Sequence, residues 1–252
     1  MVDKQVTIIG CGPAGMLIAH ACSQRGLPWK IIAPQAVPSV LGGAQYLHRW
    51  IPELECGPAF QLEYIRLGTK EGYERKIYGK LPEGVTTSWD TFPSIVRAWS
   101  LRETYWHAWA RYYHGIEEAT VTLDDLLKLA QNYVVFNTAP LNHLMPDHEY
   151  ITESVYVSEG HSAAGINQII YNGLYEDDWY RTSNINGASS FEIPGRFAGK
   201  PAPNWRRIIK PVSTTATIPG VHLLGRYGQW KKGVLVDDAY FEACRILDST
   251  GI

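Results

Sequence analysis

The chain has no apolar run near the ~20 residues that a membrane-crossing helix needs; its apolar stretches, such as Val6–Ile9, are short. Neither sign of charge dominates. The 23 Lys and Arg face 25 Asp and Glu for a net charge of −2, so no global field draws the protein to nucleic acid or to an anionic membrane. Cys11, Cys22, Cys56 and Cys244 are the only cysteines, and they show neither a CxxC nor a disulfide framework. Cys11 and Cys22 read as small buried residues. No P-loop, GxSxG or Cys/His hydrolase signature occurs. His143 and His148 flank Leu-Met-Pro-Asp, but Pro146 breaks any shared helical face, and no metal site is expected. The first apolar run lacks a basic lead and is too short for a secretory signal, so a cytoplasmic location is the expectation.

What is present is globular and aromatic. At 252 residues, 45% hydrophobic and 19% charged, the chain fits one elaborated domain or two small ones. Nine Trp and fifteen Tyr point to aromatic-lined cavities or a partly aromatic core.

The most informative stretch is Val6 to Ala33. Val6-Thr7-Ile8-Ile9 has the β-branched composition of a buried parallel strand. It runs into Gly10-Cys11-Gly12-Pro13-Ala14-Gly15, a GxGxxG, then a helix pattern ended by Gly26, then a second β-type run at Trp29–Ile32. This is the order of a dinucleotide-binding βαβ unit. Gly10 permits the tight turn, Gly12 lets the backbone approach a pyrophosphate, and Gly15 lets helix and strand pack closely. Pro13 suits an early helical position, and the helix N-terminus beside Ala14 makes an anion site. One position departs from the pattern. The second strand should end in an acid that holds the ribose hydroxyls, yet Ala33-Pro34 stands there and no acid follows until Glu53. Gln35 is the nearby substitute.

Gly42-Gly43, Tyr133–Pro140 and Val221–Gly228 extend this reading. With the glycine loop, they make the chain resemble the FAD-dependent amine-oxidase and UDP-galactopyranose-mutase superfamily. The resemblance implies that Gly42 and Gly43 lie against the flavin diphosphate and ribityl chain. It also implies that the strand ending at Ala139-Pro140 returns the chain to the nucleotide sheet. Gly225, Arg226 and the start of the last helix, at Asp237, would wrap the flavin end, with Arg226 meeting the flavin or its diphosphate. Asp237 would cap that helix, with Asp238 in its first turn. Arg181, in Trp179-Tyr180-Arg181, would face the flavin from a substrate-domain strand; alternation would put Trp179 on the same face.

The expected fold is α/β: a discontinuous Rossmann-type FAD-binding domain with a smaller substrate lobe of antiparallel sheet and helix. Residues 1–60, 115–140 and 212–252 would build the first, and 61–114 and 141–211 the second. Expected elements are strands at Gln61–Leu67 and Arg75–Tyr78, and a helix over Thr91–Tyr113 with Trp99, Trp106, Trp109 and Tyr113 as its core stripe or a pocket wall. A Thr122-capped helix over Leu123–Gln131 follows. Short strands at Ile151–Val157, Gln168–Leu174, Asp178–Ser183 and Ser189–Ile193 come next.

The activity implied is oxidation of a C–N bond in an amine or amino-acid-like group, with FAD as cofactor. Arg181, Arg226 and Tyr227 would orient a polar or anionic substrate, and His48 is a candidate proton carrier. One alternative is a flavoenzyme acting on a nucleotide, modified nucleobase or sugar nucleotide, for which Trp205-Arg206-Arg207 with Lys210, and Trp230-Lys231-Lys232, could grip phosphates or stack bases. Another is a non-catalytic nucleotide-binding module, suggested by Ala33. The expected partner is a small-molecule or nucleotide-like substrate, without a membrane; net charge does not indicate nucleic acid, and the oligomeric state is open.

Overall fold

A computed structural model describes residues 5–85, 87–197, 199 and 204–250. β1 (Val6–Ile9) leads through the glycine turn into α1 (Pro13–Gln24), and β2 (Trp29–Ala33) returns parallel to β1. The first excursion carries β3 (Tyr46–Leu47), β4 (Phe60–Gly68), α2 (Lys70–Tyr78), β5 (Ile95–Ser100) and α3 (Leu101–Tyr112). β6 (Ile116–Glu118), α4 (Leu123–Ala130) and β7 (Val134–Asn137) bring the chain back. After α5 (Leu141–Leu144) come β8 (Ile151–Glu159), β9 (Gln168–Gly173), β10 (Arg181–Ile185), β11 (Ala188–Pro194) and β12 (Arg206–Ser213). β13 (Val221–Leu223), α6 (Gly225–Gln229) and α7 (Val236–Ser249) close the fold.

Two sheets result. The first has the order β13-β7-β1-β2-β6, and every pair in it is parallel. α1 packs against α3 and α7 as well as the sheet. That explains why residues Gly15 to Cys22 are buried on all sides. His20 lies in this core with both ring nitrogens engaged, Nδ1 to Tyr112 Oη and Nε2 to the Pro52 carbonyl, each at 2.7 Å. It is a structural histidine. The second sheet has the order β12-β8-β11-β10-β9-β4-β5-β3. It is antiparallel, as expected, except where β4 runs parallel to β9.

Several local expectations are corrected. Arg75–Tyr78 is the end of α2, not a strand: the Thr69 hydroxyl accepts from Gly72 N at 3.0 Å and starts the helix. The helix expected over Thr91–Tyr113 begins only at Leu101, because Ile95–Ser100 pairs as β5 with β4. There Ser100 becomes the N-cap, its Oγ accepting from Glu103 N at 3.2 Å. The aromatic stripe fails for the same reason. Trp99 belongs to the strand, Trp106 and Tyr113 are exposed, and α3 buries Leu101, Tyr105, Ala108 and Tyr112 instead. Strand β10 starts at Arg181, later than expected, and Trp179 does not share its face. Trp179 packs on Phe191, whereas Arg181 pairs with Glu192, one residue further and so across the sheet. Thr122 does cap α4, in a capping box with Asp125.

Candidate functional site

The carboxyl ends of β1, β7 and β13 converge where the order of the parallel sheet reverses, which is where open α/β sheets bind ligands. Gly10 leaves β1 at φ +97°, a backbone that side-chain-bearing residues rarely adopt. A methyl at Gly15 would overlap the Gly10 carbonyl oxygen, so helix and turn touch backbone to backbone. Pro13 occupies the first turn of α1 and costs no donor there. The turn after β7 locks onto this loop: Thr138 N and Ala139 N donate to Ile9 O at 2.8 and 3.2 Å. Thr138 Oγ1 donates to the same carbonyl at 2.8 Å. Gly225 completes the arrangement, for a Cβ on it would lie 2.9 Å from Ala14 Cβ. Thus Gly10, Ala14, Gly15, Ala139 and Gly225 come together. Ser39 lies over Gly12, its Oγ 3.5 Å from where a Gly12 Cβ would stand, and its N–H donates to Tyr105 Oη at 2.7 Å.

Gln35 is exposed; its carbonyl faces the Cys11 thiol at 3.5 Å, and its side chain makes no hydrogen bond among the described residues. The Gly42-Gly43 doublet lies against the eight-stranded sheet, Gly42 on Arg206 of β12 and Gly43 on Glu192 of β11 and Arg181 of β10. Asp237 does not cap α7, which corrects that expectation. Leu235 is the N-cap and donates to Asp238 Oδ2 at 2.8 Å. The buried Asp237 carboxylate instead accepts from Arg49 Nε at 3.0 Å, and its Oδ1 has no partner among the described residues. Gly225-Arg226, expected as a turn, opens the short helix α6.

Arg181 is engaged in a buried charge cluster. Its guanidinium binds Glu192, which also accepts from Tyr180 Oη at 2.6 Å and Lys210 Nζ at 2.5 Å. Burial alone would raise the Glu192 carboxyl, but Arg181 and Lys210 bring it down to about 2. Burial lowers Lys210 despite that pairing, because Glu192 is shared with the stronger cation Arg181. Glu192 and Arg181 are therefore the fixed charges. Arg226 donates from Nη2 to Pro211 O at 3.1 Å, while its buried Nε is bare among the described residues. Tyr227 Oη donates to Ile209 O at 3.1 Å. Both are thereby tied to β12, the strand that carries Lys210. His48 stands apart from them, stacked on Phe92 at 4.4 Å with Tyr46 edge-on at 4.9 Å. Burial lowers its pKa, and its Nε2 is buried without a partner among the described residues.

A cavity of about 190 Å³ opens beside the doublet, lined by Gly43, Gln45, Arg102, Glu159, Ser189 and Ser190. Sequence reading missed Thr138, Ser39, Arg49 and Glu192. Only Thr138 lies in a stretch with a readable signal, the strand-to-Pro turn. The others are single polar residues whose partners lie 11 to 188 positions away.

No protein-family model matches the chain, and no curated protein matches its sequence. Solved structures do. Reduced UDP-galactopyranose mutase is similar over 99% of this chain and 94% of its own, with a TM-score of 0.61 and 10% identity. A flavoprotein/dehydrogenase from Cytophaga hutchinsonii is similar over 97% of this chain and 79% of its own, with a TM-score of 0.53 and 11% identity. A geranylgeranyl bacteriochlorophyll reductase-like protein from Thermoplasma acidophilum matches 98% of this chain and 77% of its own, with a TM-score of 0.54 and 10% identity. At such identities the likeness is one of fold. The fold is the α/β, Rossmann-type fold of FAD-dependent flavoproteins.

Proposed function

We propose that the protein is an FAD-dependent oxidoreductase that oxidises a C–N bond in a small amine or amino-acid-like substrate. The observation that carries this reading is the convergence of Gly10, the α1 N-terminus, the Thr138-Ala139 turn and Gly225 at the strand ends. The residues fit the cofactor. The Gly12 backbone is open to close approach, and Arg226 Nε, Asp237 Oδ1 and Gln45 Oε1 are buried polar atoms without partners among the described residues, the kind of group a bound ligand satisfies. The first-turn N–H groups of α1 would hold the diphosphate. Gly42, Gly43, Arg226 and the start of α7 would hold the flavin half.

Bound FAD supplies the electron-accepting chemistry, and the chain supplies orientation and electrostatics. Arg206 and Arg181 stand against the doublet beside the single carboxylate Glu192, and Arg226 carries a buried Nε without a partner among the described residues, which favours a substrate carrying an anionic group. Arg226 has the free donor; Arg181 is held rigid by Glu192. His48, kept neutral by burial, has a bare Nε2 that can take a proton. The 190 Å³ cavity falls below the about 300–1,000 Å³ of drug-sized sites.

The second reading, redox-neutral chemistry on a sugar nucleotide, is favoured by the whole-length likeness to the mutase. Absorption spectroscopy separates the two. The expected result is a yellow protein bleached anaerobically by an amino acid or amine. A yellow protein that no amine bleaches, but that turns over a sugar nucleotide only after chemical reduction, would support the second reading. A folded protein that cannot be loaded with FAD would overturn both.

A further inference from the structure

Ala33 leaves β2 without the acid that normally holds the adenosine ribose of a dinucleotide. We propose that Glu118, at the end of the neighbouring strand β6, supplies that carboxylate. This rests on the FAD reading above and assigns the adenosine half of the same site.

Three observations place Glu118 there. Ala33 and Glu118 are partners in the parallel pairing of β2 and β6, so the two positions lie one strand spacing apart, about 4.8 Å. Ala119 N donates to Ala33 O at 2.9 Å, which ties the strands together at this very end. Secondly, the Glu118 side chain leans over the end of β2, because its Oε1 accepts from Ala36 N at 2.9 Å. Cys11 of the glycine loop touches the same turn, its Sγ lying 3.5 Å from Gln35 O and 3.7 Å from Val37 O. The carboxylate and the glycine loop thus both contact one short turn. Thirdly, Glu118 has unused acceptor capacity. Its neighbour Glu117 is taken by Lys30 at 2.8 Å, whereas no cation pairs with Glu118 among the described residues. A carboxylate offers about four lone-pair sites, of which Ala36 N–H uses one. Ribose hydroxyls are the donors that match the rest, and hydrogen bonds to a charged acceptor are the strong kind. Gln35 offers no such acceptor charge.

The experiment is calorimetric titration of the flavin-free full chain with FAD, ADP and 2′,3′-dideoxy-ADP, comparing wild type, Glu118→Ala and Glu118→Gln. The wild type is expected to prefer ADP over the dideoxy analogue by roughly 10- to 100-fold, the span of a charge-assisted hydrogen bond. Glu118→Ala should erase that preference by weakening ADP and FAD while leaving the dideoxy analogue unchanged. Glu118→Gln retains an acceptor for Ala36 N–H and should fall between, with the same melting temperature as wild type. If Glu118→Ala keeps the preference, or weakens ADP and its dideoxy analogue equally, the residue only supports the turn and the inference is overturned. If the wild type binds neither FAD nor ADP, the flavin reading itself fails and takes this assignment with it.

Discussion

The two sheets are stabilised by different means. The parallel sheet buries no charge in its strands: Val6, Ile8, Ile31, Val135 and Phe136 are fully buried, with Thr7 and Asn137 as its buried polar residues, and the turn at its edge is shaped by backbone, at Gly10 and Gly15. The eight-stranded sheet buries charge. Glu192 is fully buried, Glu153 and Lys210 are nearly so, and the tyrosines at 64, 73, 171 and 180 surround them. Under the proposed function, the parallel sheet needs only a rigid scaffold and close backbone approach to a cofactor, whereas the eight-stranded sheet would present fixed charges, which are expensive to bury unless each is paired.

This contrast can be broken most severely at Glu192. Glu192→Gln leaves Arg181 and Lys210 buried without a counter-charge and should cost roughly 3–5 kcal/mol in chemical denaturation. Its carboxyl is held at about 2, below the ordinary 4.5. The ionised form therefore stabilises the fold fully above pH 4.5, and that contribution is lost as pH falls towards 2. Glu192→Gln should flatten this acid limb. A wild-type acid limb left unchanged in the variant would assign the pairing no energetic weight.

Gly15→Ala tests the other side of the contrast. The added methyl meets a backbone oxygen that cannot step aside, with an expected cost of about 1–3 kcal/mol and loss of FAD retention. Smaller still is Ser100→Ala, at the junction where β5 of one sheet becomes α3 beneath the other. Removing this cap should cost ~1 kcal/mol, measured as a shift in denaturation midpoint. Arg102 is exposed and lines the cavity. Arg102→Ala should leave stability within about 0.5 kcal/mol and raise KM for an anionic substrate. An unchanged KM would remove that cavity from the substrate path.

The same contrast explains what was legible in the sequence. The βαβ unit, the Val134–Asn137 strand and the closing strand–helix pair announce themselves through β-branched runs and glycines at fixed spacing, and the folded chain forms all of them. The β5–α3 segment misled because Trp99, Trp106 and Trp109 mimic helical spacing. Ile95 and Val96, with Ser100 three residues before Glu103, marked the real change from strand to helix. The charge cluster was invisible for another reason. Arg181, Glu192 and Lys210 stand on three strands, and only the antiparallel register brings them to one face. Glu118 is the same case in the parallel sheet, since its relation to Ala33 exists only once β6 has docked.

The central claim, that the glycine turn holds the diphosphate of FAD, is tested most directly by FAD titration of Gly12→Ala beside the wild type. The nearest atom to an added Gly12 Cβ is Ser39 Oγ at 3.5 Å, an ordinary contact, so the variant should fold and melt as the wild type does. The expected result is one FAD bound per wild-type chain and an affinity at least about tenfold weaker in Gly12→Ala, the equivalent of about 1.4 kcal/mol. Wild-type affinity for FAD in Gly12→Ala, or a folded wild type that binds none, would contradict the claim.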